Sequence, residues 1–203
     1  MQESQIDEKQ RDELQELGNI GAGRASRYLS DLVDEKINIS VPQVDIVSLS
    51  PGSEEVSDIM DLPSNQQLMA VLMPTEHPAG GVVFIFTQED YQKFLKLISQ
   101  NNEESQDFLE TSEKVSNFYL DAIESFLSLE VDTSDARLIS LPLNTLLIQI
   151  SSSVVDDSSE SNALIINTEF SIPDDENKTK GEITFFLEIN DMDEIIETME
   201  EKL

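Results

Sequence analysis

The spacing of apolar residues changes period several times along the chain, and each change marks an expected element. From about Ser4 to Asp34 the period is helical. Leu14, Leu17, Ala25, Tyr28, Leu29 and Leu32 gather on one side of a wheel drawn at about 100° per residue. Ser4 followed three residues later by Asp7 is a capping-box pattern and sets the expected start of this helix. After Lys36 the period drops to two. Ile37, Ile39 and Val41, then Val44, Ile46 and Leu49, read as strand interrupted at Pro42. Residues 50–65 read as a solvated acidic loop. Gln67 to Met73 and Gly81 to Phe86 read as two strands joined by a turn from Pro74 to Gly81. Thr87 is placed to cap a helix running to about Ser99, and residues 100–105 form a polar linker.

Beyond the linker the order of elements returns. Shifting the numbers by 94 lays Glu110 on Glu16, Tyr119 on Ala25, Ile123 on Leu29, Phe126 on Leu32 and Val131 on Ile37. Leu138 to Ile139, Leu143 to Val155, Ala163 to Ile172 and Glu182 to Ile189 read as strands. Two acidic turns separate the last of these, and Asp191 opens an expected terminal helix. A repeat of this length exceeds the unit of a solenoid. It fits one α+β domain over residues 1–203, built from two pseudo-two-fold-related helix–antiparallel-strand–helix repeats. Repeat one covers about 4–99 and repeat two about 106–203.

Charge changes the picture more than any other bulk property. The 203 residues carry 42 Asp and Glu against 12 Lys and Arg, a net charge of −30. Nucleic acid is excluded as a partner class, because its phosphates would be repelled. The hydrophobic content of 38% with clear periodicity argues for a folded chain rather than a disordered acidic one. Such a surface suits a salt-rich, halophilic cytoplasm, where about 1 M salt shortens the Debye length to roughly 3 Å. No apolar run approaches a membrane span and the polar N-terminus is no signal peptide, so a cytoplasmic location without membrane attachment is expected. With zero Cys there is no disulfide framework and no thiol nucleophile.

Candidate chemistry sits on the first helix. Asp12, Glu16 and Asn19, at spacings of four and three, share one narrow stripe opposite the apolar face. Ser30 and Gly23 lie on the same stripe, whereas Gly18 and Gly21 fall on the buried side, where a missing side chain permits close packing. The bare Gly23 leaves room for another protein to approach the backbone. Arg24 and Arg27, half of the chain's arginines, flank the stripe. They are placed either to pair with acids on the same helix or to attract an acidic partner. His77, the sole histidine, lies between Glu76 and Pro78 in a turn and reads as non-functional. Acidic clusters such as Asp156–Asp157 lack EF-hand spacing, so no metal site is assigned. Phe84, Phe86, Phe185 and Phe186 read as core.

The arrangement Asp-x3-Glu-x2-Asn-x22-Pro, ending at Pro42 and containing Gly-Asn-Ile-Gly-Ala-Gly, resembles the CheC/CheX/FliY family, in its CheC-like branch. These are chemotaxis phosphatases that act on the phosphorylated response regulator CheY. The resemblance implies Glu16 and Asn19 as catalytic residues, with Asp12 and Pro42 in support. It implies no cofactor of the protein's own, the Mg2+ belonging to the regulator's acidic pocket. Arg24 departs from the family, many members of which have a small polar residue there. Family members often carry a second site in the second repeat. Here Glu110 is in place, but Glu113 stands at the Asn position, Gln106 at the Asp position and Ala136 at the Pro position. That site is read as degenerate, with a Glu113/Asn117 pair as its only partial substitute. The rival expectation is a binding module for CheY, or for the receptor deamidase CheD, without useful catalysis. A FliY-type switch component is expected less, since such proteins carry a further C-terminal domain.

Overall fold

The computed structural model describes residues 6–48, 55–77, 79–98, 104–127, 130–154, 162–173 and 178–188. Helix α1 spans Glu8–Val33. It begins at Asp7, whose carboxylate accepts from the Gln10 backbone N–H at 2.8 Å while the Gln10 side chain accepts from the Asp7 N–H at 2.9 Å. The capping box is therefore Asp7/Gln10, one turn later than the expected Ser4/Asp7. A glutamine side chain is long enough to reach back to the cap; Ser4 itself lies outside the described residues. The helix stops at Asp34, which turns left-handed at φ 54°.

Two short strands follow, β1 (Asn38–Ile39) and β2 (Gln43–Ser48). The expected loop over 50–65 is corrected in part by a short helix, α2 (Glu55–Ile59). Its Val56, with Met60 just beyond, is buried among apolar residues, and these anchors outweigh the acidic composition. Strands β3 (Gln67–His77) and β4 (Gly80–Thr87) form a hairpin longer than expected, which carries His77 into the strand and tightens the turn. Helix α3 (Gln88–Ile98) is capped as expected, with Thr87 Oγ1 accepting from the Asp90 N–H at 3.2 Å.

The order then recurs. It runs α4 (Glu104–Leu127), β5 (Asp132–Thr133), β6 (Arg137–Pro142), α5 (Leu143–Val154), β7 (Asn162–Ile172) and β8 (Thr179–Glu188). Helix α5 overturns the expected strand over Leu143–Val155. Its β-branched and leucine-rich run suits either state, but Leu143, Leu146 and Ile150 recur at helical spacing and all three are buried on the sheet. The expected terminal helix from Asp191 lies outside the described residues.

Among the described residues the strands make one eight-stranded mixed-order antiparallel sheet, β1-β7-β8-β4-β3-β5, with β2 also on β7 and β6 also on β3. Each half of the chain thus completes its edge with short strands from the other half. Both sheet faces are covered, so the central strands are apolar on both sides and β4 reads as a nearly continuous hydrophobic run. On one face, Val82, Phe84 and Phe86 pack with α1, α3 and α4; on the other, Val83 and Ile85 pack with α2 and α5. Phe84, Phe86, Phe185 and Phe186 are all buried. The second face also holds a half-buried acid. Glu182 Oε2 accepts from Asn167 Nδ2 at 2.8 Å, and Thr184 donates to Asn167 Oδ1 at 2.7 Å. Burial, with Glu169 and Asp61 nearby, pushes the Glu182 carboxyl up to about 7 against the pull of Asn167 and Lys180.

Candidate functional site

The first helix is held against the sheet by Leu14, Leu17, Ala22, Ala25 and Leu29, each no more than 1% exposed. Losing any one of these leucines would cost roughly 2–5 kcal/mol. Fixing that face inward turns the opposite stripe outward, and Asp12, Glu16 and Asn19 are all exposed. Among the described residues none of the three has a hydrogen bond or ion pair, so both carboxylates and the carboxamide are free to meet another molecule.

The support behind this stripe is built from residues that leave no slack. Pro42 is buried between β1 and β2 and packs against Gly18; a Cβ added there would fall 2.9 Å from Pro42 Cβ and 2.7 Å from Ile166 Cγ2. Pro42 therefore sits behind the helix, next to the residue preceding Asn19, and not on the exposed stripe. Arg11 latches the same region, its guanidinium donating to the Val44 carbonyl and to Asp45 Oδ1 at 3.2 Å. An open groove of about 580 Å³ runs alongside, lined by Arg11, Gln15, Val41, Pro42, Asp45 and Ile59 among others, but not by Asp12, Glu16 or Asn19. The three candidate residues stand on a ridge. A ridge cannot enclose a small molecule, but it can enter a cleft on another protein.

Helix α4 lies beside α1 on the same sheet face. Gly21 admits the Tyr119 ring, the Tyr28 and Phe118 rings lie 5.5 Å apart, and Lys114 Nζ sits 5.9 Å from the centre of the Tyr28 ring. Burial pushes the Tyr119 phenol well above its usual range, so it stays neutral. The residues of the second repeat are differently disposed. Glu110 and Asn117 are exposed and Glu113 half-buried, while Glu110 already accepts from Gln106 Nε2 at 2.9 Å. Ala136 offers no ring where Pro42 stands in the first repeat. Lys114, which the sequence did not single out, reaches the neighbourhood of α1 only through helix pairing, and no local pattern announces that.

The described residues form a mixed α+β fold whose first helix carries an acid–amide ridge with no partner among them. Residues 10–46, from within α1 into β2, match the model of the CheC-like family. Among solved structures, FliY of Thermotoga maritima shares the fold with a TM-score of 0.73 at 17% identity, covering 98% of this chain and 99% of that one. The FliM middle domain from H. pylori has a TM-score of 0.66 at 13% identity, covering 96% and 100%. A FliG–FliM complex from the same organism aligns with a TM-score of 0.58 at 14% identity, covering 95% and 100%. The family model thus matches the segment that carries Asp12, Glu16, Asn19 and Pro42, and the solved structures share the fold.

Proposed function

We propose that this is a chemotaxis protein that hydrolyses the aspartyl phosphate of a CheY-type response regulator at a single site on α1. The observation that carries the reading is the exposed, unpaired stripe of Asp12, Glu16 and Asn19, braced from behind by Pro42 on Gly18. An aspartyl phosphate is an activated mixed anhydride. Its hydrolysis needs an in-line water and stabilisation of spread charge more than covalent chemistry. The Asn19 carboxamide suits both tasks, its carbonyl accepting from the water and its N–H donating toward a phosphoryl oxygen. Glu16 pairs with a lysine beside the partner's phosphorylation site and keeps the ridge in the cleft. Asp12 supports the stripe. The Mg2+ that neutralises the phosphoryl group is the regulator's own.

The test follows phosphate loss from the organism's own phosphorylated CheY, with magnesium, for wild type, Asn19→Ala and Glu16→Gln. Wild type accelerates the loss and Asn19→Ala removes about two to three decades of that acceleration, the usual effect of deleting one positioning group. No acceleration, with binding still measured by titration, would favour the second reading. That reading is a binding module for CheY or CheD, and the likeness of the fold to FliM, solved in complex with FliG, supports it.

A further inference from the structure

Three glycines interrupt α1, and the interior of the molecule accounts for two of them. An added Cβ at Gly18 would meet Ile166 and Pro42, and at Gly21 it would fall 2.9 Å from Tyr119 Cδ2. At Gly23 it would meet nothing within 4 Å. A glycine inside a helix gives up stability that alanine would supply, and nothing among the described residues requires that loss at Gly23. It lies four residues from Asn19, on the stripe that also carries Glu16.

The charges around it are equally unexplained from within. Arg24 and Arg27 are exposed, and among the described residues neither has a hydrogen bond or ion pair. This is so in a chain where acids outnumber bases 42 to 12 and Lys9, Arg11, Lys93 and Lys180 all find carboxylates. Lys114 on α4 adds a third cation on the same flank, held over Tyr28 rather than by an acid. The exposed side of α1 therefore carries acids at Asp12 and Glu16, then the cations Arg24 and Arg27, with Asp31 one turn beyond them.

We propose that Gly23 is the point where the partner's backbone crosses α1, and that Arg24, Arg27 and Lys114 dock an acidic segment of that partner beside Asn19. The occupant is a response-regulator face with a cation opposite Glu16 and an acidic flank opposite the arginines, so the inference rests on the function proposed above. A body of charge −30 repels an acidic protein at a distance. A local patch of opposite sign overcomes this at contact and selects the orientation in which Asn19 meets the phosphoryl group.

The full chain, carrying Asn19→Ala to keep the complex intact, is titrated with the organism's own phosphorylated response regulator. Gly23→Gln, the double change Arg24→Gln with Arg27→Gln, and Lys96→Gln on α3 are compared. The first two each weaken binding about ten-fold, the arginine change also flattens the salt dependence, and the α3 control binds unchanged. Circular dichroism shows Gly23→Gln as helical as the parent, since glutamine is the better helix former. Equal binding by the first two variants and the control would overturn the docking ridge while leaving the phosphatase reading intact. Binding that depends on Gly23 and the arginines, with no hydrolysis by the chain that keeps Asn19 assayed in parallel, would support the ridge and sink the phosphatase. Absence of binding by the Asn19→Ala parent and by wild type would overturn both.

Discussion

Alanine placed at Gly18, Gly21 and Gly23 in turn makes one chemical change at three points of one helix, and the sign of its effect differs among them. Each substitution gains about 1 kcal/mol of helix propensity. At Gly23 nothing among the described residues opposes that gain, since the new methyl meets none of their atoms within 4 Å. Gly23→Ala is therefore about 1 kcal/mol more stable, a rise of about 2–4 °C in thermal midpoint for a domain of this size. At Gly18 the methyl would lie 2.7 Å from Ile166 Cγ2 and 2.9 and 3.0 Å from Pro42 Cβ and Cγ. Ile166 is fully buried and the proline ring cannot rotate away. At Gly21 the obstacle is the buried Tyr119 ring, with three atoms between 2.9 and 3.1 Å. Overpacking of this kind costs about 1–3 kcal/mol, leaving Gly18→Ala and Gly21→Ala net destabilised by about 0–2 kcal/mol. Urea unfolding followed by far-ultraviolet circular dichroism ranks the three against wild type. Equal stabilisation at all three positions would show that α1 is not seated as tightly as described. Loss of stability at Gly23 would reveal an intramolecular role for that glycine.

The half-buried Glu182 binds its proton more tightly in the folded state, with a pKa of about 7 against an ordinary value of 4.5. Its contribution is complete below the lower value and lost as pH rises through the upper one, so Glu182→Gln exceeds wild type by up to about 3 kcal/mol at pH about 8 and by little near pH about 4.5. Urea titrations at both pH values check this, and a pH-independent difference would refute it. On the second repeat, Glu110→Gln and Asn117→Ala leave phosphate loss from the regulator unchanged; activity that vanished with Asn117→Ala but survived Asn19→Ala would move the site to α4. If the acidic surface is an adaptation to salt, the thermal midpoint climbs between about 0.1 M and about 3 M salt as self-repulsion is screened. A flat profile argues against it.

Much of this architecture is written locally. The period of Leu14, Leu17, Ala25 and Leu29 determines which face of α1 turns inward, and therefore that Asp12, Glu16 and Asn19 turn outward together, because a helix repeats every 3.6 residues wherever it packs. The apolar runs of β4 and β7 likewise announce strands covered on both faces. Helix α5 escaped this reading since a short run of Leu and Ile satisfies either period, and only its seat on the second sheet face settles the matter. Local composition also hid α2, where one buried Val56 outweighs a run of acids. Three facts about the candidate site belong to the tertiary structure alone: Pro42 closes on Gly18 from behind, Lys114 arrives from α4, and Arg24 and Arg27 find no acid among the described residues although acids abound. Sequence determined what α1 displays, because display follows from a local period. The fold decided what stands behind and beside that display, because those neighbours are brought together only when distant segments pack.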